Sequence, residues 1–147
     1  MTLENRNDKK LIGRIEKVDF PDLNVFQLKA KIDTGAYTSS LHCHKIELNS
    51  SKKDVSFYLL DPSHPEYNEQ IITSPVEDIR SVRSSNGLAE DRIIIKTRIY
   101  LHECLEMIQL SLTDRSEMRY PVLLGRKFLQ DRYIVDVSKK FIGNLYK

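Results

Sequence analysis

One short motif in the chain combines residue types that can activate a water molecule. Asp33, Thr34 and Gly35 follow one another directly. The Asp33 carboxylate can act as a base toward water, the Thr34 hydroxyl can hold the surrounding loop by hydrogen bonds, and Gly35 keeps the backbone free of Cβ crowding. A bare tripeptide of this kind also occurs as an ordinary Asx turn at the end of a strand. The residues around the motif are therefore needed to distinguish a hydrolase site from an ordinary turn.

A second fragment, Leu41-His42-Cys43-His44, carries residue types that bind zinc. Strand alternation would place His42 and His44 on one side and Cys43 on the other. Two histidines can begin a metal site, but no third ligand can be named, and the chain has neither His-Glu-x-x-His nor Cys-x-x-Cys. We therefore predict no metal here, and we keep a zinc-dependent peptidase using His42 and His44 as a lesser alternative. The chain also lacks a Gly-rich phosphate loop, so we predict no cofactor.

The Asp-Thr-Gly motif stands at the end of a predicted β-strand. Apolar and polar residues alternate from 25 to 32, immediately before Asp33. Alternation of this period is typical of a half-buried strand, which would hold the carboxylate on a rigid element. The predicted inward face is formed by Phe26, Leu28, Ala30 and Ile32.

The remaining sequence predicts short strands separated by turns. An apolar strand at 120–125 leads into the one predicted helix, at 126–131. Many short strands with almost no helical periodicity are typical of closed barrels and sandwiches. We therefore predict an all-β domain with one short C-terminal helix. The other predicted strands lie at 12–16, 41–48, 55–60, 70–76, 92–101, 104–112 and 133–137.

Composition limits the class of protein. The chain has 147 residues, of which 40% are hydrophobic and 30% charged, and this suits one globular domain with its own core. We assign a flexible arm to 1–10 and a single domain to 11–147. A net charge of +2 is too small to predict a nucleic-acid partner, and no apolar run is long enough to cross a membrane. With two cysteines and no visible signal segment, we expect a cytoplasmic protein.

The residues on both sides of the motif resemble a known family. The stretch from Lys29 to His42 is similar to the active-site segment of retropepsin-like aspartic proteases. Residues 80–92 and 129–138 are similar to a bacterial and archaeal subfamily that is labelled ATP-dependent zinc protease and is associated with RimK-type ATP-grasp ligases. The resemblance covers roughly 11–141 and implies the acid-protease fold, a retropepsin-like closed barrel.

The second signature of that family is also present. The stretch from Leu123 to Leu129 resembles an apolar pair followed by Gly-Arg, which leads into a short helix packed behind the catalytic loop. The resemblance therefore implies that Leu124, Gly125 and Arg126 support the site. One departure is Tyr37, where the family pattern has a smaller or basic residue.

Aspartic-protease chemistry needs two carboxylates that share a proton. The chain contains one Asp-Thr-Gly and no Asp-Ser-Gly. The resemblance therefore implies a homodimer in which two Asp33 side chains meet across a two-fold axis. The expected substrates are peptides, among them glutamate-rich or ligase-modified ones, and the expected functional link is to an ATP-grasp ligase. The alternative is a non-catalytic peptide-binding module with the same fold.

Such a site also requires groups that bind and cover the substrate. We expect the residues next to the motif, Ala36 and Tyr37, to line the cleft. The predicted tip of a covering hairpin lies at 83–87, where Asn-Gly favours a tight turn, although an ordinary surface turn fits equally well. Arginines near this tip can bind acidic peptides by bidentate pairing. The substrate-binding candidates in this region are Arg83, Ser84, Ser85 and Arg92.

Overall fold

The computed structural model describes residues 8–83, 87–114 and 119–143, with the side chains of Val82 and Arg83 left out. These residues form short strands, one 3-10 turn at Pro21–Leu23 and one helix, α1 (Arg126–Leu129). No helix within these ranges is long and apolar enough to cross a membrane. The strands are β1 (Lys10–Gly13), β2 (Ile15–Phe20), β3 (Val25–Ile32), β4 (Ser39–Leu48), β5 (Asp54–Leu59), β6 (Ile71–Pro75), β7 (Asp78–Arg83), β8 (Ala89–Leu101), β9 (Cys104–Thr113), β10 (Val122–Leu124) and β11 (Tyr133–Asp136).

Six of these strands close on themselves. The order is β10-β3-β2-β8-β9-β4, and β4 pairs again with β10. Strands β5 and β6 extend outward from β4, while β7 pairs with β8 as a hairpin. Strands β1 and β11 form a separate parallel ribbon. The predicted all-β fold, a closed barrel with one short C-terminal helix, is therefore confirmed.

The core is built from apolar side chains that most of the strands contribute. On β8, Ile95 and Ile99 are fully buried, and on β9 the same is true of Leu110. Each such side chain contributes about 1.5–3 kcal/mol through removal of apolar surface from water. This packing makes the barrel wall a rigid support for the loops at its ends.

The predicted inward face of β3 is wrong at one residue. Phe26 is 55% exposed, whereas its neighbour Val25 is buried. The cause is a β-bulge: Val18 pairs with Leu28 and Phe20 with Val25, so β3 has one residue more than β2 between the two pairs. The bulge reverses the alternation for the first residues of β3. Beyond it, Leu28, Ala30 and Ile32 are buried as predicted.

The region predicted as one strand at 12–16 is divided in two. β1 ends at Gly13, and β2 begins at Ile15. A Cβ on Gly13 would lie 2.4 Å from the Lys139 carbonyl oxygen, so the chain crosses the C-terminal segment in close contact here. Residues 1–7 of the predicted arm lie outside the described residues, and Lys10 already belongs to β1. The division into arm and domain stays a prediction.

A buried carboxylate fixes this crossing. Glu16 is fully buried, and its Oε2 atom accepts the Gly13 amide at 2.7 Å and the Ile142 amide at 3.2 Å. Its Oε1 atom accepts the Gly143 amide at 3.0 Å. A buried carboxylate is tolerated where hydrogen bonds replace the water that it has lost. Glu16 therefore ties β1 and the C-terminal segment to the barrel.

Candidate active site

The position of Asp33 is fixed by the end of β3 and by a backbone carbonyl of β10. β3 and β10 run parallel, with Ile32 opposite Leu124. The Asp33 amide continues this ladder by donating to the Leu124 carbonyl at 2.9 Å. The Asp-Thr-Gly motif and the Leu124–Gly125 pair therefore lie side by side, although they are far apart in sequence.

The loop after Asp33 is a tight turn that uses only one carboxylate oxygen. The Ala36 amide donates to the Asp33 carbonyl at 3.2 Å, and the Gly35 amide donates to Asp33 Oδ1 at 3.1 Å. Asp33 Oδ2 has no hydrogen-bond partner among the described residues, and the side chain is half-buried. The Asx turn and the hydrolase site are thus compatible, because the turn leaves one oxygen available.

The turn between β10 and α1 packs tightly against the same loop. The Gly125 amide donates to the buried Ser39 Oγ at 3.0 Å. The Arg126 amide donates to the Ala36 carbonyl at 2.8 Å. A Cβ on Gly125 would lie 2.4 Å from the Thr38 carbonyl oxygen, so only glycine fits. Gly125 allows the helix to approach the loop that carries Asp33.

Arg126 completes the support from outside. Its Nη1 atom donates to the Thr34 carbonyl at 3.0 Å, and its guanidinium lies 5.8 Å from the centre of the Tyr37 ring. Thr34 is exposed, and its hydroxyl makes no hydrogen bond to the described residues, in contrast to the expected role of holding the loop. Tyr37 is 52% exposed beside the motif. The loop is held through its backbone atoms, so the side chains of Thr34 and Tyr37 remain available to contact a substrate or a partner.

A cationic hollow adjoins the Asp33 loop. It has a volume of about 450 Å³, and its lining includes Ile32, the residue before Asp33. Three exposed cations belong to it, one each from the β1–β2 junction, β3 and the segment before β10. They are Arg14, Lys31 and Arg119. The sequence pattern does not predict this cluster, because the three residues converge only when the barrel closes, and strand alternation indicates only that Lys31 faces outward.

The predicted substrate-binding residues fall into different places. Ala36 and Tyr37 belong to the motif loop itself, as described above. Arg92 lies on the β7–β8 hairpin opposite Arg80 and lines a second pocket rather than the hollow at Asp33. Ser84 and Ser85 lie outside the described residues, as does the side chain of Arg83. The two strands of the hairpin, β7 and β8, are present, and the substrate-binding role of its tip stays a prediction.

The histidine fragment on β4 has other partners. His42 is buried, and its Nε2 atom lies 2.5 Å from Asp61 Oδ2. Asp61 Oδ1 accepts the Ser63 amide at 2.8 Å and the Ser63 hydroxyl. The Ser63 and His42 hydrogen bonds lower the pKa of Asp61 to about 2. This pair anchors the loop after β5 to the barrel.

The neighbours of His42 do not complete a ligand set. Burial raises the pKa of the Cys43 thiol, which disfavours the thiolate that a metal needs. The His44 ring packs against Tyr58 and Tyr67 at centroid distances of 6.1 and 6.2 Å. Within residues 8–83, 87–114 and 119–143, no group of three or more His, Cys, Asp or Glu is arranged to hold a metal.

The chain resembles a solved structure and a family model. A crystal structure of a protein of unknown function from Legionella pneumophila has a TM-score of 0.69 and 26% identity, covering 91% of this chain and 98% of that one. Residues 11–144 match the family model described as RimB-like, retropepsin-like aspartic endopeptidase RimB. The chain belongs to the RimB-like family. The family model spans Asp33, the hollow and α1, so the geometry described above belongs to a RimB-like domain.

Curated relatives of this RimB-like chain carry a different name. A probable alpha-L-glutamate ligase of Desulfotalea psychrophila is 32% identical over 94% of this chain, and one of Shewanella pealeana is 35% identical over 92%. The chain spans 32% and 30% of the length of these two relatives. The similarity thus concerns about one third of each relative.

Proposed function

We propose that this RimB-like domain is an aspartic peptidase-type hydrolase that cleaves acidic, glutamate-rich peptides. One observation carries the proposal: Asp33 stands at the end of β3 on a loop that β10 and α1 hold in place, and its Oδ2 atom has no hydrogen-bond partner among the described residues. Such a carboxylate is pre-positioned to accept a proton from water. The family match supports the fold that this chemistry uses.

The second carboxylate comes from another copy of the chain in a homodimer. Thr34 and Gly35 are exposed beside Asp33, so a two-fold axis at this loop brings the two motifs together. One Asp33 takes a proton from water as the water oxygen attacks the scissile carbonyl carbon. The other, protonated, donates a hydrogen bond to the carbonyl oxygen. Collapse of the tetrahedral intermediate breaks the C–N bond, and a proton passes to the leaving amine.

The charge next to the site supports an acidic substrate. Arg14, Lys31 and Arg119 surround the hollow beside Asp33, and its lining contains no carboxylate from the part of the chain that the structure describes. Cations of this kind bind glutamate side chains and repel basic peptides. The relatives named as probable alpha-L-glutamate ligases agree with this chemistry, because their name implies the attachment of glutamate. We therefore propose a functional link to an ATP-grasp glutamate ligase, and we expect the cytoplasm as the location.

A non-catalytic peptide-binding module is the second candidate. It is favoured by one observation, that each chain offers a single carboxylate at the motif. In this case the cationic hollow would bind the acidic peptide without cleaving it. The two candidates differ in whether loss of the Asp33 charge abolishes product formation.

The deciding experiment is a cleavage assay with a diverse peptide library that includes peptides with glutamate tails, measured by mass spectrometry. Wild type should release products from the acidic peptides, and Asp33→Asn should release none, because an amide keeps the shape but cannot act as the base. Asp54→Asn is the control, since Asp54 is an exposed carboxylate whose side chain makes no hydrogen bond to the described residues. Equal cleavage by wild type and Asp33→Asn would disprove the proposed chemistry.

A further inference from the structure

A second pocket lies on the outer face of the barrel, between the β7–β8 hairpin, β9 and α1. Its volume is about 350 Å³, and Thr38 and Ser39 form one of its edges. This volume is within the range of ligand sites in proteins. The pocket has five cationic lining residues and no acidic one among the described residues. They are Arg80, Arg92, Lys96, Lys127 and Arg132.

The positive charge of this pocket is only partly compensated. Arg80 pairs with Asp78 at 2.8 Å, and Arg92 pairs with Glu90 at 3.3 Å, each along its own strand. Lys127 donates to a neutral amide oxygen, Gln109 Oε1, at 2.7 Å. Lys96 is exposed and has no partner among the described residues. Arg132 lies 3.8 Å from the Glu106 carboxylate. The two lysines therefore carry positive charge that no carboxylate within the described ranges neutralises.

Two of the arginines also lie next to each other. Arg80 and Arg92 lie directly opposite each other in the β7–β8 ladder. Like charges at such a cross-strand pair destabilise the sheet. The ion pairs to Asp78 and Glu90 offset part of this repulsion, and an anion bound between the two arginines would offset more of it.

The floor of the pocket suits a side chain with a short aliphatic stem. Ile94 and Phe128 are buried there and present apolar surface. Ser111 also lines the pocket, and its hydroxyl is buried with no hydrogen-bond partner among the described residues. A buried hydroxyl without a partner costs free energy that a ligand can recover. An apolar floor, one hydroxyl and a cationic rim match the methylenes and carboxylate of glutamate.

We propose that this pocket is a second binding site for the acidic peptide, and that it grips glutamate side chains several residues away from the bond at Asp33. The inference rests on the proposed function for the identity of the peptide. The segment from Asp33 to Thr38 spans at most about 18 Å, since an extended residue covers at most about 3.6 Å. An extended peptide of about five residues therefore reaches from the carboxylate to the pocket. Shorter peptides occupy the hollow at Asp33 alone.

The test measures binding of acetylated diglutamate and hexaglutamate by calorimetry in the uncleaving Asp33→Asn background. The pocket variant is Lys96→Gln with Lys127→Gln. The control is Lys52→Gln with Lys53→Gln, which makes the same charge change in the exposed turn between β4 and β5. We expect hexaglutamate to bind the pocket variant about tenfold more weakly, because two lysine contacts are lost. Diglutamate binding should be unchanged, and the control should match its parent with both peptides.

Three outcomes would overturn the inference: equal hexaglutamate binding by the pocket variant and its parent, equal weakening by the control, or no hexaglutamate binding at all. The same substitutions in the active chain should raise KM for hexaglutamate and leave kcat unchanged. If the pocket substitutions do not change the cleavage of hexaglutamate, the pocket is not a binding site for it, and the proposed function is unaffected. Pocket-dependent binding without any cleavage would keep the pocket and disprove the hydrolase.

Discussion

At the scale of single residues, the site depends on how the two oxygens of one carboxylate are used. Asp33 Oδ1 accepts the Gly35 amide, whereas Oδ2 has no partner among the described residues. The first contact fixes the orientation of the carboxylate, and the second oxygen can then act on water. The Asx turn, which competes with catalysis as an explanation of the motif, is therefore part of the positioning.

The two glycines of the site have different tasks, and this can be measured. A Cβ on Gly125 would collide with the Thr38 carbonyl, whereas a Cβ on Gly35 would meet only Asp33 Oδ1 at 3.4 Å, an ordinary contact. Gly125→Ala should lower the free energy of unfolding by roughly 2–3 kcal/mol, because backbone must move. Gly35→Ala should lower it by less than about 1 kcal/mol. Urea denaturation of both variants measures these two changes. If Gly125→Ala is no more destabilising than Gly35→Ala, the predicted collision at Gly125 is relieved without cost.

Gly35→Ala also separates the fold from the dimeric site. Because Gly35 is exposed in the single chain, the added methyl group faces whatever binds there. We expect this variant to stay folded and to lose peptide cleavage, with circular dichroism as the check on folding. Full activity would place the partner chain and the substrate away from this loop.

At the scale of elements, the alternation of buried and exposed residues along the strands could be predicted from sequence, but the positions at which it is interrupted could not. The strands flanking the motif, those at 92–101 and 104–112, and the helix after Gly125 all appear where the pattern predicts them. The bulge that exposes Phe26 escaped prediction because it arises from pairing between two strands. Helix α1 ends at Leu129, two residues before the predicted end, because the backbone of Gln130 is extended rather than helical.

The Asp61 carboxylate, which anchors the loop after β5, should make the free energy of unfolding depend on pH in the acid range. Asp61 has a folded pKa of about 2, below its ordinary value of 3.8. Its stabilisation is therefore complete above about pH 4 and disappears as the pH falls toward 2. Asp61→Asn should remove this dependence, which is on the order of 2 kcal/mol.

The measurement is urea denaturation of wild type and Asp61→Asn at neutral pH and at several values between pH 4 and 2. The difference in free energy of unfolding between the two proteins should shrink over this interval. Asp54→Asn serves as the control, because the Asp54 side chain is exposed and makes no hydrogen bond to the described residues. A difference that stays constant with pH would show that the Asp61 charge does not stabilise the loop.

At the scale of the whole molecule, the barrel brings together charges that the sequence scatters. Arg14, Lys31 and Arg119 meet at one hollow, and Lys96 and Lys127 meet at the other pocket. Of the arginines near the hairpin that the sequence pattern marks as candidates, Arg92 does line a cationic pocket. The two clusters could not be predicted from sequence, because proximity between distant strands follows from strand register and barrel closure.

The proposed dimer has a consequence for mixtures of chains. If each active site needs Asp33 from both subunits, a hybrid with one Asp33→Asn chain is inactive. With equal amounts of both chains and free exchange, only about a quarter of the dimers are fully wild type. Activity per wild-type chain should therefore fall to about half, and the pH–rate profile should show two carboxylate limbs. Activity that depends only on the amount of wild-type chain would rule out the shared site.

Strand β10 has only three residues, yet it joins β3 to β4 and so closes the barrel. The contacts that hold the motif loop connect residues 86 and 92 positions apart in sequence. Contacts of such long range form late in folding, after the cost of closing the intervening loop has been met. During synthesis, the motif segment emerges long before its support does. The chain therefore has no ordered Asp33 loop until residues near 125 have been made and have docked, which delays any hydrolytic activity until the domain is complete.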